Sequence, residues 1–70
     1  MRHWIKDEAA AVFAEEYVDD SDNSVLGLVV RHYNDSPTYA WVGDVRLGAL
    51  STDAAAKAAV EAAVKRGMGE

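Results

Sequence analysis

The chain has no cysteine among its 70 residues, which excludes disulfides and thiolate zinc sites as sources of stability. It also lacks any apolar run approaching the roughly 18 residues of a membrane span. The opening Met1-Arg2-His3-Trp4-Ile5-Lys6 runs straight into acidic residues, without the apolar stretch of about 7–15 residues that marks a secretory signal. These absences predict a soluble, cytoplasmic protein with no membrane association. Positive charge is scarce as well: seven Lys and Arg stand against twelve Asp and Glu, a net charge of −5. Phosphate backbones are bound by cations that release counterions, so direct binding of nucleic acid is disfavoured. The same charge favours a basic protein surface as partner, including one that itself binds nucleic acid.

Half of the residues are apolar, enough for a real core and too many for disorder. A chain of this length forms one domain, residues 1–70, and buries only about 60–65% of the surface its unfolded form exposes. Its stability margin is thin, and a homodimer is one remedy.

Residues 7–22 hold Asp7, Glu8, Glu15, Glu16, Asp19, Asp20 and Asp22, seven of the twelve carboxylates, and no Lys or Arg occurs from residue 7 to residue 30. Ile5, Ala9, Val12, Phe13 and Tyr17 recur at helical spacing, and Asp7 and Glu8 suit the positive end of a helix dipole. This predicts an N-terminal helix over residues 7–19. Glu15, Glu16, Asp19 and Asp20 crowd its negative end, so an edge strand over residues 12–18 stays open as the alternative. Residues 19–24 have loop composition. Residues 24–33, dense in β-branched side chains, predict the most buried strand, with Gly27 marking a bulge or a close approach. Asn34-Asp35-Ser36-Pro37 then turns the chain into a second strand over residues 38–42, with Tyr39 and Trp41 on one face. Gly43-Asp44 leads into a third strand over residues 45–50. Ser51 or Thr52 caps an alanine-rich helix that Asp53 opens and Gly67 closes. Its stripe of Ala56, Val60, Ala63 and Val64 is expected to pack on the face that carries Tyr39 and Trp41. The expected fold class is α+β: an N-terminal helix, a three-stranded antiparallel sheet and a C-terminal Ala-rich helix, with the helices on one sheet face.

The run Trp41-Val42-Gly43-Asp44-Val45-Arg46-Leu47-Gly48-Ala49-Leu50-Ser51-Thr52 and the alanine helix after it resemble the end of the AP2-type fold, in which a three-stranded sheet steps into a helix. Leu47, Gly48, Leu50, Thr52 and the helix alanines match that step. Recognition of DNA in that family rests on Arg and Trp side chains across the sheet; here only Arg31 and Arg46 stand there, with Asp35 and Asp44 nearby. The resemblance therefore implies the fold, with a small nucleic-acid-binding domain as an alternative function. In size, acidity and lack of catalytic motifs the chain is also similar to small phage-encoded inhibitors such as anti-CRISPR proteins and DNA mimics.

No catalytic, cofactor or metal motif emerges. Asp20-Ser21-Asp22-Asn23-Ser24 starts like a calcium loop, but Val25 and Arg31 occupy the positions that need Gly and Glu. Gly43 and Gly48 have phosphate-loop spacing, yet Ala49-Leu50 replace the Lys and hydroxyl residue. His32, Asp35 and Ser36 lie too close in sequence to build separate base, nucleophile and oxyanion supports. Tyr33, Tyr39 and Trp41 are expected to fill space under the helix. The leading expectation is a non-enzymatic inhibitor that docks Glu15, Glu16, Asp19, Asp20 and Asp22 on a basic, nucleic-acid-binding protein. A purely solvated acidic face and a structural or assembly subunit are the other possibilities.

Overall fold

The computed structural model describes residues 1–7 and 12–67. Six elements follow one another: β1 (Arg2–Lys6), β2 (Phe13–Asp19), β3 (Ser24–Arg31), β4 (Thr38–Val42), β5 (Val45–Leu50) and α1 (Asp53–Lys65). The strands make one antiparallel sheet in the order β1-β2-β3-β4-β5, and α1 crosses β3, β4 and β5 on one side of it. Among the described residues no helix is long and apolar enough to cross a membrane.

This corrects the expected arrangement of two helices on a three-stranded sheet. The fold is mostly β, five strands and one helix, and no N-terminal helix occurs among the described residues. Residues 8–11 of that expected helix lie outside them; residues 13–19 are strand β2. The competing period wins for a physical reason. A helix would stack Glu15, Glu16, Asp19 and Asp20 at its own negative end, whereas an extended chain places Glu15 and Glu16 on opposite faces and releases Asp20 into a turn. Strand geometry also sets Glu15 opposite Lys6 and Tyr17 opposite Trp4, whose rings lie 4.9 Å apart.

The side on which α1 packs is a second correction. Val29, Ala40, Val42, Ala56, Val60, Ala63 and Val64 form the core, with Trp4, Phe13, Tyr17, Leu26, Leu47 and Leu50 packed around them. The residues of β4 under the helix are thus Thr38, Ala40 and Val42, and Tyr39 and Trp41 alternate to the opposite side. A helix faced with alanine and valine sits close to its sheet, and only small side chains fit beneath it. Gly27 is the extreme case: a Cβ there would overlap Val60 Cγ1 and stand 2.9 Å from the Trp41 carbonyl oxygen.

Two β-bulges adjust the sheet to this helix. Tyr17 and Val18 pair with Gly27 and Val25, leaving Leu26 over, and Ala40 and Trp41 pair with Gly48 and Arg46, leaving Leu47 over. Both surplus leucines pack against the core. Val25 and Arg46 are thereby delivered to the side away from α1.

The start of α1 is clamped to the sheet. Thr52 Oγ1 accepts from the Ala55 N–H at 3.0 Å, as an N-cap should. Asp53, in the first turn, accepts from Arg31 Nε at 3.1 Å and Nη2 at 3.3 Å, and from the hydroxyl of fully buried Thr38 at 2.5 Å. Arg31 also donates to the carbonyls of Tyr33 and Asn34, so one guanidinium ties β3, the loop after it and the helix together. The Arg31 hydrogen bonds, aided by Thr38 and opposed by burial, hold the Asp53 carboxyl below its ordinary value of 3.8.

Two outcomes follow for stability. Replacing Gly27 with alanine forces the helix off β3 and costs about 1–3 kcal/mol in urea denaturation. A carboxylate whose pKa is lowered by folding contributes stability above its unfolded value and loses it as pH falls through the folded one. Asp53→Asn is therefore expected to cost about 1–2 kcal/mol at neutral pH and to flatten the loss of stability below the ordinary carboxylate value of 3.8, read from melts across pH 2–7.

Candidate docking face on the open side of the sheet

Strand alternation builds the site. Because α1 claims one side, every second residue of five strands is left on the other, where no element among the described residues lies over it. The pairing brings Ile5, Glu16, Leu28, Trp41 and Arg46 into one row across all five strands. A second row holds Ala14, Val30, Tyr39 and Ala49, and His3, Val18 and Val25 follow at the end nearer the β2–β3 turn. The face is apolar and aromatic at its centre, with Glu16 its single carboxylate within the strands.

A groove of about 390 Å³ opens here between Glu16 on β2 and Trp41 on β4, floored by Leu28 and Val30 and bounded by Val25 and His32. His32, Tyr39 and Trp41 continue as a line of rings, 6.3 Å and 6.1 Å between successive centroids. Arg46 completes it, with its guanidinium 5.0 Å from the Tyr39 ring centre, a cation–π distance. Tyr39 and Trp41, like the exposed Tyr33, are thus not the filling under the helix that was expected of them. The signal that identifies them is the small size of the alternating residues Thr38, Ala40 and Val42, which are the ones an alanine helix can cover.

The five carboxylates singled out in the sequence are divided. Glu15 lies on the helix side, its carboxylate 2.5 Å from Lys57 Nζ. Lys57 in turn stands 5.3 Å from the Trp4 ring centre and 5.8 Å from that of Phe13. Glu16 points to the open face and lines the groove. Asp19, Asp20 and Asp22 gather at the β2–β3 turn. Asp19 accepts from the Ser21 N–H at 3.0 Å and hydroxyl at 2.7 Å, and Asp22 does the same for Ser24 at 3.1 Å and 2.7 Å. The Ser21 hydrogen bonds, backbone first, lower the Asp19 pKa below its usual value, with help from the N-terminus and Arg2. Asp20 Oδ1 is 3.0 Å from His3 Nδ1. In an up-and-down sheet the β2–β3 and β4–β5 turns share one end, so Asp44 of the two-residue Gly43-Asp44 turn joins Asp19, Asp20 and Asp22 there. Gly43 has φ 58°, which its place as first residue of a two-residue hairpin turn requires.

Ser36, considered above with His32 and Asp35, has its hydroxyl engaged by Tyr33: it accepts from the Tyr33 N–H and donates to the Tyr33 carbonyl, both at 3.0 Å. It serves the β3–β4 loop.

The Glu15–Lys57 pair joins β2 to α1 and is only partly exposed, so Glu15→Gln is expected to lower the stability of the folded chain by about 0.5–1 kcal/mol. Glu16→Gln, on the open face, is expected to leave it within about 0.5 kcal/mol of the native chain, and parallel thermal melts check the contrast.

No protein family, curated protein or solved structure matches the chain, which leaves the open face itself as the guide to function.

Proposed function

We propose that the chain is a non-enzymatic binding protein, an inhibitor that docks its open sheet face on a basic, nucleic-acid-binding protein and blocks it. The observation that carries this is the uncovered row Ile5, Glu16, Leu28, Trp41 and Arg46 beside the acidic end formed by Asp19, Asp20, Asp22 and Asp44. Aromatic and aliphatic anchors in a concave centre are what give an interface its affinity. Carboxylates at the edge steer a basic partner into place and raise the association rate. A nucleic acid would compete for the same basic surface of the partner, so occupation of that surface is inhibition.

A second function is favoured by one feature, the line of His32, Tyr39 and Trp41 with Arg46 beside it, since rings on an open sheet stack unpaired bases. Glu16 in the same row as Trp41, and a net charge of −5, oppose a polyanion there.

Capture from a cell lysate of the source organism separates them. Native chain is expected to retain a basic protein that Glu16→Gln/Asp20→Asn/Asp22→Asn and Leu28→Arg variants both lose, with unchanged circular dichroism, and added DNA is expected to release it. Equal retention by the variants would sink the docking proposal. Titration of labelled single-stranded DNA and RNA at two salt concentrations tests the second function, and absence of binding at low salt removes it.

A further inference from the structure

We infer that the groove at the centre of the open face is a subsite for an arginine side chain of the partner. This rests on the docking function proposed above and names the group that would anchor it. The groove holds one carboxylate, Glu16, with His32 at its border, and the surroundings of Glu16 are unusual for a surface carboxylate. Glu16 pairs across the strands with Ile5 on β1 and Leu28 on β3, and Ala14 and Val18 flank it along the same face of β2. All four are apolar. Among the described residues the Glu16 carboxylate has no ion pair and no side-chain hydrogen bond, whereas that of Glu15, one residue earlier, is bridged to Lys57.

Arg46, the arginine of the same row, does not serve Glu16. It pairs with Trp41, and its guanidinium stands at the Tyr39 ring, so Leu28 and Trp41 separate it from the carboxylate. Glu16 and Trp41 stand two strands apart, about 10 Å at the backbone, with Leu28 between them. A long side chain laid over Leu28 fits that interval. Its methylenes would cover the leucine, its charge would reach Glu16, and Trp41 would wall the other side with a π face. The groove's volume of about 390 Å³ falls in the range of small-ligand sites.

The geometry favours arginine over lysine. A guanidinium is planar and weakly hydrated, meets a carboxylate through two parallel hydrogen bonds and stacks on indole, whereas an ammonium carries a tighter hydration shell into an apolar groove. The acidic turns at one end of the groove extend the same field toward a basic approach. An anionic ligand meets the wrong sign, and a purely apolar one leaves Glu16 buried without a partner, at a cost.

The test uses the full chain and a blocked glycine-arginine-glycine peptide, with lysine and citrulline versions, followed by ¹H–¹⁵N NMR. The Trp41 indole reports the groove. The Trp4 indole, which donates to Glu61 on the helix side at 2.7 Å, reports whether the fold is intact. The arginine peptide is expected to shift the Trp41 indole and the Glu16 and Leu28 amides saturably, with the Trp4 indole still. Citrulline and Glu16→Gln are each expected to weaken binding by about tenfold or more, and Glu16→Lys to abolish it. Equal binding of citrulline, no effect of Glu16→Gln, or no shift at all overturns the subsite. So do shifts that follow protein concentration without peptide, which would make a second copy the occupant. A silent peptide titration alongside retained capture of the basic partner rejects the subsite alone; loss of both rejects the docking function with it.

Discussion

The close approach of α1 to β3 at Gly27 is the constraint from which the rest of the architecture follows. Val60 occupies the space where a side chain at residue 27 would be, and that single missing Cβ lets a helix of alanines and valines press onto the sheet. Everything beneath must then be small, which is why Val29, Ala40 and Val42 make up the strand side of the core. Each of the two bulges leaves one leucine over where the ladder breaks, Leu26 on β3 and Leu47 on β5, and both pack at the margin of the core.

Large side chains excluded from directly beneath α1 stand at its margin, as Trp4, Phe13 and Tyr17 do, or alternate to the other face. Trp41, Tyr39 and Leu28 are therefore on the open side for a reason of volume, and the groove between Glu16 and Trp41 is a by-product of how tightly the opposite face is closed. A contiguous apolar face left uncovered by the described residues of a protein of this size is a cue to a partner. Charge follows the same division. Glu15 neutralises Lys57 on the closed side, Asp53 holds Arg31, and Asp19 and Asp22 fasten their turn, which leaves Glu16 as the carboxylate with no partner among the described residues of the open face.

Much of the chain from residue 24 onward was legible in its sequence, because turn residues and caps there act locally: Pro37, Gly43, Thr52 and Asp53 each mark a boundary through their own backbone preferences. Residues 13–19 were not, because Phe-Ala-Glu-Glu-Tyr-Val-Asp satisfies both a helical and an alternating spacing. What decides between them is tertiary: Trp4 against Tyr17, Lys6 opposite Glu15, and β3 waiting to be paired. The face on which the helix lands was misjudged for the opposite kind of reason. Aromatic residues attract a core assignment by hydrophobicity, yet the volume available under an alanine helix excludes them. Of the five acidic residues, proximity in sequence suggested one surface, and the two-residue period of β2 sent Glu15 and Glu16 to different sides.

The neighbour-only pairing of the sheet bears on how this fold forms. Each strand pairs with its sequence neighbour, so every hairpin closes a short loop at little entropic cost. The sheet, however, encloses nothing until α1 arrives, and α1 follows all five strands. Without α1 both faces of the sheet would be wet, and what tells them apart is the row of small residues, Val29, Ala40 and Val42, that fits beneath that last element.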